Sequence, residues 1–195
     1  MKKKKSIALW AVLFWLLVWQ LGSMALHRDI LLVSPVRVAQ TLLELAGTRR
    51  FWASIGGSLV RIVGGFMLAA VCGTLAAALA ARFRRIEELL APLVLAMKTV
   101  PVASFIILAL IWMGSKNLAV LIAFLMVFPI LYTNVLSGIR ATDVELLEMA
   151  RVFRVTPMRR IRFINLPQVM PYFRTGCTVG LGLCWKAGVA AEVIG

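Results

Sequence analysis

Acidic side chains are few in this sequence: eight Asp and Glu stand against 22 Lys and Arg in 195 residues. Histidine is scarcer still, with His27 alone. The three cysteines, Cys72, Cys177 and Cys184, lie inside apolar stretches and share no metal-like spacing. They read as small buried hydrophobes, so neither a disulfide framework nor a metal site is expected. No Ser-His-Asp set, paired carboxylates or glycine-rich phosphate loop is visible. The expectation is a chain with no catalytic residue and no bound cofactor. Long polar stretches are missing too, with one exception.

Apolar residues take their place. They make up 62% of the chain, and the mean hydropathy is +0.92. A soluble domain averages roughly 45–50% apolar residues. The excess comes in blocks, which predicts an all-α, polytopic transmembrane helical bundle. The net charge of +14 invites a nucleic-acid partner. Yet the cations cluster at the ends of apolar runs, where membrane topology places them. No nucleic-acid partner is expected; lipid is.

Five apolar runs follow one another. Lys2 to Lys5 precede the first, Ile7 to Leu26. Its length of about 20 residues suits a span better than the roughly 7–15 of a leader core. A cleavable leader ending near Ser23-Met24-Ala25 is the alternative. Ser34-Pro35 then opens a helix, with Ser as N-cap and Pro first. Val38, Leu42, Leu45 and Ala46 recur at helical spacing, which predicts an amphipathic helix on the outer surface. The second run, Ser54 to Ala81, is rich in Gly and Ala that let helices approach closely. Arg61 is expected near its outer end. A third run spans about Leu89 to Met113 and ends at a tight turn, Gly114 to Asn117. The fourth is Leu118 to Ile139, and the fifth about Pro171 to Ala191. With the N-terminus inside, thirteen cations fall in inner segments and six in outer ones.

The polar exception is Thr142 to Pro167, which holds three of the eight acids and five of the 22 bases. Thr142 and Glu145 have the spacing of a capping box, and Asp143 suits a helix N-terminus. A first short helix is predicted to about Phe153. Thr156-Pro157 starts a second, exposing Arg159, Arg160 and Arg162, with Ile161 and Ile164 for apolar contact. Pro167 is expected to close the segment before the last span. The result is a cytoplasmic elbow, polar outside and fixed at both ends to spans. A solvated loop that only orients the protein is the bland alternative.

One family resemblance sharpens this. Glu148-Met149-Ala150, three residues, Arg154, nine residues and Ile164-Asn165-Leu166-Pro167 resemble the EAA loop of ABC importer permeases. That pattern reads Glu-Ala-Ala, three residues, Gly, nine residues, Ile-x-Leu-Pro. Met149 replaces the second Ala and Arg154 replaces the Gly. If the turn needs positive φ, a non-Gly residue there costs roughly 1 kcal/mol or more. Ser34-Pro35, Ser58-Leu59 with Arg61, Gly65-Phe66, Pro101 with Trp112-Met113-Gly114, Phe128-Pro129-Ile130, and Trp185 with Ala191-Glu192 look like the nitrate/sulfonate/taurine branch.

The resemblance implies a type I ABC importer permease in the cell membrane, with its N-terminus in the cytoplasm. Residues 1–53 would form an N-terminal span plus outer helix, and 54–195 the permease core with coupling loop 142–167. About five spans are present where the branch has one more after Ala191-Glu192, so a fragment or truncated chain is expected. Implied partners are a cytoplasmic ATPase dimer, a second permease subunit forming a homodimer, and an extracytoplasmic solute-binding protein. Glu148, Met149, Ala150 and Arg154 would lie at or near the ATPase contact. Ile164, Leu166 and Pro167 would hold the elbow against the spans. The implied solute is a small anion such as nitrate, sulfonate or taurine, with a thiamine-precursor pyrimidine or other small organic molecule as the alternative.

Lys98 and Lys186 interrupt apolar runs, and a Lys at mid-bilayer costs roughly 2.5–3.5 kcal/mol. With Pro101 they could line an anion path. The alternatives are snorkelling, or a pair between Lys186 and Glu192. From other function classes, a membrane scaffold without transport stays open, and a membrane enzyme would need a polar cluster the sequence does not show.

Overall fold

A computed structural model describes residues 9–26 and 32–195. Lys2 to Lys5, His27 and Arg28 lie outside the described residues, as does the side chain of Lys116. Every regular element among the described residues is helical. The chain divides into two compact units, Met1–Gly56 and Gly57–Gly195.

In the first unit, α1 (Leu9–Leu26) is apolar on all sides and exposes Trp10, Leu13 and Trp15. Such a helix needs lipid or partners around it. Its 18 residues give about 27 Å of rise, close to the hydrocarbon thickness. The hydroxyl of Ser23 donates to the Leu32 carbonyl at 2.9 Å and leads into α2 (Pro35–Ala46). As expected, Ser34 caps α2, accepting from the Arg37 N–H at 3.3 Å, with Pro35 first. The apolar side of α2 is uncovered, with Val38, Leu42 and Leu45 exposed. The Trp52 indole N–H donates to the Ala46 carbonyl at 2.9 Å and satisfies one of the open acceptors at the helix end.

Three helices carry the second unit: α3 (Arg49–Arg82), α6 (Leu118–Arg140) and α9 (Leu166–Ile194). α6 is the axis, buried from Leu118 and Ile122 through Val127 and Leu131 to Val135. α3 turns a row of small residues inward at four-residue spacing: Gly65, Ala69, Gly73 and Ala77, all buried. A Cβ on Gly65 would lie 2.5 Å from the Val120 carbonyl oxygen, so the two backbones touch. α9 does the same, with Gly180 against Val127 and Gly188 against Ile62. Without a hydrophobic drive in lipid, such close backbone packing is what holds helices together.

The third apolar run is not one straight span. α4 (Arg84–Thr99) and α5 (Val102–Met113) meet at a bend of 104°. Pro101 is the cause. It disfavours the helical region for the residue before it, and Val100 is extended, φ −73° and ψ 130°. The pair still joins opposite ends of the bundle. Glu87 of α4 pairs with Arg140 at the end of α6, while Ile106 and Ala109 of α5 pack with Leu118 and Ile122 at its start and with Ala191 of α9. The expected turn follows, with Gly114 at φ 66° and a 3-10 turn, Ser115–Asn117. Among the described residues, three helices are long and apolar enough to cross a membrane, four counting the bent pair as one.

Candidate functional site

The elbow grows out of the last turn of α6. Thr142 still belongs to that turn, its N–H donating to the Ile139 carbonyl at 3.3 Å. Its side chain is therefore drawn inward, 5% exposed, and its hydroxyl has no partner among the described residues. The expected capping box is thus corrected by one residue. Asp143 is the N-cap of α7 (Val144–Val152), its carboxylate accepting from the Glu145 N–H at 2.9 Å. A carboxylate there also meets the positive end of the helix dipole. The Asp143 N–H in turn donates to the Gln168 side-chain carbonyl at 2.8 Å, so the start of α7 is tied to the start of α9.

The motif residues divide by helical phase. Glu148 and Ala150 are two positions apart, roughly 200° around the helix. Glu148 stands exposed and Met149 half-exposed, while Ala150 is 2% exposed. α7 ends in a Schellman turn: the Val155 N–H donates to the Ala150 carbonyl at 2.9 Å, and the Arg154 N–H to the Arg151 carbonyl at 3.1 Å. The geometry requires a left-handed residue between them, and Arg154 supplies it at φ 51°. This is where the importer pattern has Gly. The L side chain costs about 1–2 kcal/mol in that region, offset by two carbonyls that would otherwise lack donors.

Past the turn, Thr156 takes the N-cap backbone shape with Pro157 after it, but its hydroxyl makes no capping bond. α8 (Pro157–Arg160) runs through a π turn, Ile161–Asn165, directly into α9. Pro167 therefore does not close the segment, contrary to expectation. It sits in the first turn of α9, inside one continuous helical stretch, Pro157–Ile194. Proline lacks an N–H and its ring crowds the carbonyl four residues back. The wider π turn, closed by the Leu166 N–H on the Ile161 carbonyl, lies where that crowding falls. Ile164 is buried as expected, whereas Leu166 and Pro167 are exposed, Leu166 along a groove beside Val135 and Ile139.

The elbow's outer surface is not purely polar. Val152, Phe153 and Met158 are 75–77% exposed among Arg151, Arg154, Arg159 and Arg162. Val152 ends α7 on its outward side, Phe153 is its C-cap, and Met158 lies on α8 beyond the turn.

The expected path residues are not joined to one another. Lys98 is exposed, its ammonium 3.4 Å from the Thr133 hydroxyl. Pro101 stands at the bend, and Lys186 is exposed on α9. The pair considered between Lys186 and Glu192 does not form. Glu192 accepts instead from the Arg61 guanidinium at 2.7 Å, across 131 residues, with Ser58 beside them. Arg61 thus lies at the end of the bundle away from the elbow, paired rather than free. Sequence reasoning missed this pair, the Glu87–Arg140 pair and Gln168. An acid so near the end of an apolar run was the available signal for Glu192; nothing local named its partner.

Residues 69–195 match the family described as binding-protein-dependent transport system inner membrane component. Named relatives agree. A putative aliphatic sulfonates transport permease protein of Bacillus subtilis is 31% identical over 181 residues, 91% of this chain and 65% of that protein. A bicarbonate transport system permease protein of Synechococcus elongatus is 28% identical, with 94% and 69% covered. A taurine transport system permease protein of Escherichia coli is 26% identical, with 90% and 66% covered. The chain thus spans about two thirds of the length of these relatives. The matched region contains α6, the Schellman turn and the helix that leaves it, so the elbow lies inside the shared part. With its family and fold in agreement, this all-α chain belongs to the inner membrane components of binding-protein-dependent transport systems.

Proposed function

We propose that the chain acts as the permease subunit of an ATP-driven importer, in which the elbow converts ATPase closure into movement of the spans. The carrying observation is mechanical. One end of the elbow leaves α6, the axis of the bundle, and the other runs without a break into α9. The Asp143–Gln168 bond closes the two ends on each other. A push on α7 therefore reaches two packed spans rather than dissipating in a loop. Glu148 and the exposed Val152, Phe153 and Met158 among their arginines offer a partner charge of both signs and an apolar patch. That surface suits a cytoplasmic ATPase dimer, with the N-terminus on the same side. A second copy of the chain and an extracytoplasmic solute-binding protein complete the assembly.

The transported solute in this reading is a small anion, since three relatives are named for sulfonates, bicarbonate and taurine. Lys98 and Lys186 are the cations offered to it. The central test is co-purification with the ATPase of the same system, comparing wild type with Glu148→Arg. Loss of ATPase binding, and of solute-stimulated ATP hydrolysis, is the expected result. Unchanged binding and hydrolysis would overturn the coupling role. For the path, anion uptake by Lys98→Ala and Lys186→Ala should fall, and normal uptake in both would remove it.

A further inference from the structure

At the elbow end of the bundle, α3, α6 and the π turn enclose a groove of about 480 Å³. Its walls are mostly apolar, with Ala78, Val135, Ile139, Ile161, Leu166 and Val169 along them. Two arginines, Arg82 and Arg160, stand in its lining, and no carboxylate does. Neither arginine pairs with a carboxylate among the described residues. Apolar walls and two cations with no acid among them suit an anionic amphiphile as ligand.

The chemistry narrows that ligand. It must be anionic where the arginines are and apolar along most of its length. We infer that this groove binds one anionic phospholipid. The phosphate lies against Arg82 and Arg160, and an acyl chain follows Val135 and Leu166. Basic pockets beside membrane helices select anionic headgroups for this electrostatic reason. The site stands on groove geometry and does not depend on the transport reading.

The test uses the full chain, purified in mild detergent and titrated with phosphatidylglycerol or phosphatidylcholine of matched acyl chains, with bound lipid counted by native mass spectrometry. Wild type should retain one phosphatidylglycerol in preference to phosphatidylcholine. Arg82→Gln with Arg160→Gln should weaken that binding roughly 25-fold, since each arginine near an anionic headgroup contributes about a fivefold factor. Arg159→Gln, an exposed neighbour outside the groove lining, should bind as wild type. Ala78→Trp, which fills the groove without altering charge, should displace the lipid. Equal affinity for both lipids, equal binding by the double variant and Arg159→Gln, or retention of the lipid by Ala78→Trp would each overturn the proposal. So would a disulfide between two Ile161→Cys chains in phosphatidylglycerol-saturated samples, which would assign the groove to a second copy.

Discussion

Arg154 holds a conformation that L side chains rarely adopt, at φ 51°, because the Schellman turn around it closes two hydrogen bonds. Arg154→Gly should therefore keep the elbow and raise stability by about 0.5–1 kcal/mol. Relief of left-handed strain outweighs the added freedom of the unfolded chain. Arg154→Pro should do the opposite, by about 3 kcal/mol or more, because proline cannot reach positive φ and removes the N–H that serves Arg151. Thermal unfolding midpoints in detergent would show both, and a stabilising Arg154→Pro would refute the turn. The Arg61–Glu192 pair is a second single-residue test. Its side chains are 39% and 21% exposed, so it is neither a surface pair nor a fully buried one. Glu192→Ala should cost about 1–3 kcal/mol by leaving a guanidinium half-buried and unpaired. In a double-mutant cycle with Arg61→Ala, the two losses should fall well short of additive. Simple additivity would mean the contact contributes nothing.

Among the helices, close approach is set by which glycine faces the axis. Gly64 and Gly65 are neighbours, yet a Cβ on Gly64 meets nothing within 4 Å and one on Gly65 meets the Val120 carbonyl and Ala123. Gly65→Ala should destabilise by about 1–3 kcal/mol, since backbones must part to admit it. Gly64→Ala should be neutral or stabilise by up to about 1 kcal/mol through helix propensity. Comparable losses from both substitutions would contradict the α3–α6 packing. The elbow offers the other element-level test. Gln168→Ala deletes the acceptor for the Asp143 N–H but leaves both helices intact. Amide hydrogen exchange should then rise in α7 while α6 stays protected. Equal exchange in α7 before and after would show that the clamp does not restrain the elbow.

Across the whole chain, the bent α4–α5 pair decides how sidedness is counted. It joins the Glu87–Arg140 end of the bundle to the end where α5 meets Leu118, so it serves as one crossing despite its 104° bend. The elbow, the basic residues Arg82, Arg84 and Arg85, and the Glu87–Arg140 pair gather at one end of the second unit. The Arg61–Glu192 pair marks the other. The second unit thus carries the elbow at one end and a cross-helix ion pair at the other.

Several features were legible from residues alone because their causes are local. Ser34-Pro35 opens α2, Gly114 turns the chain, and the apolar runs become helices. At Arg154 the comparison with a pattern marked the position, and the structure decided its conformation, φ 51°. Where an expectation slipped, two local rules competed. Thr142 has the composition of a cap, but the last turn of α6 claims its backbone, and Asp143 caps instead. Pro167 reads as a stop, but the π turn before it takes up the crowding of its ring, and the helix continues. Only tertiary structure could decide that Glu192 meets Arg61 rather than Lys186, that Gln168 clasps Asp143, or that Gly65 rather than Gly64 touches α6. Each depends on the rotation of one helix about its axis relative to another. That rotation is settled by packing the whole bundle at once, and no stretch of a few residues carries it.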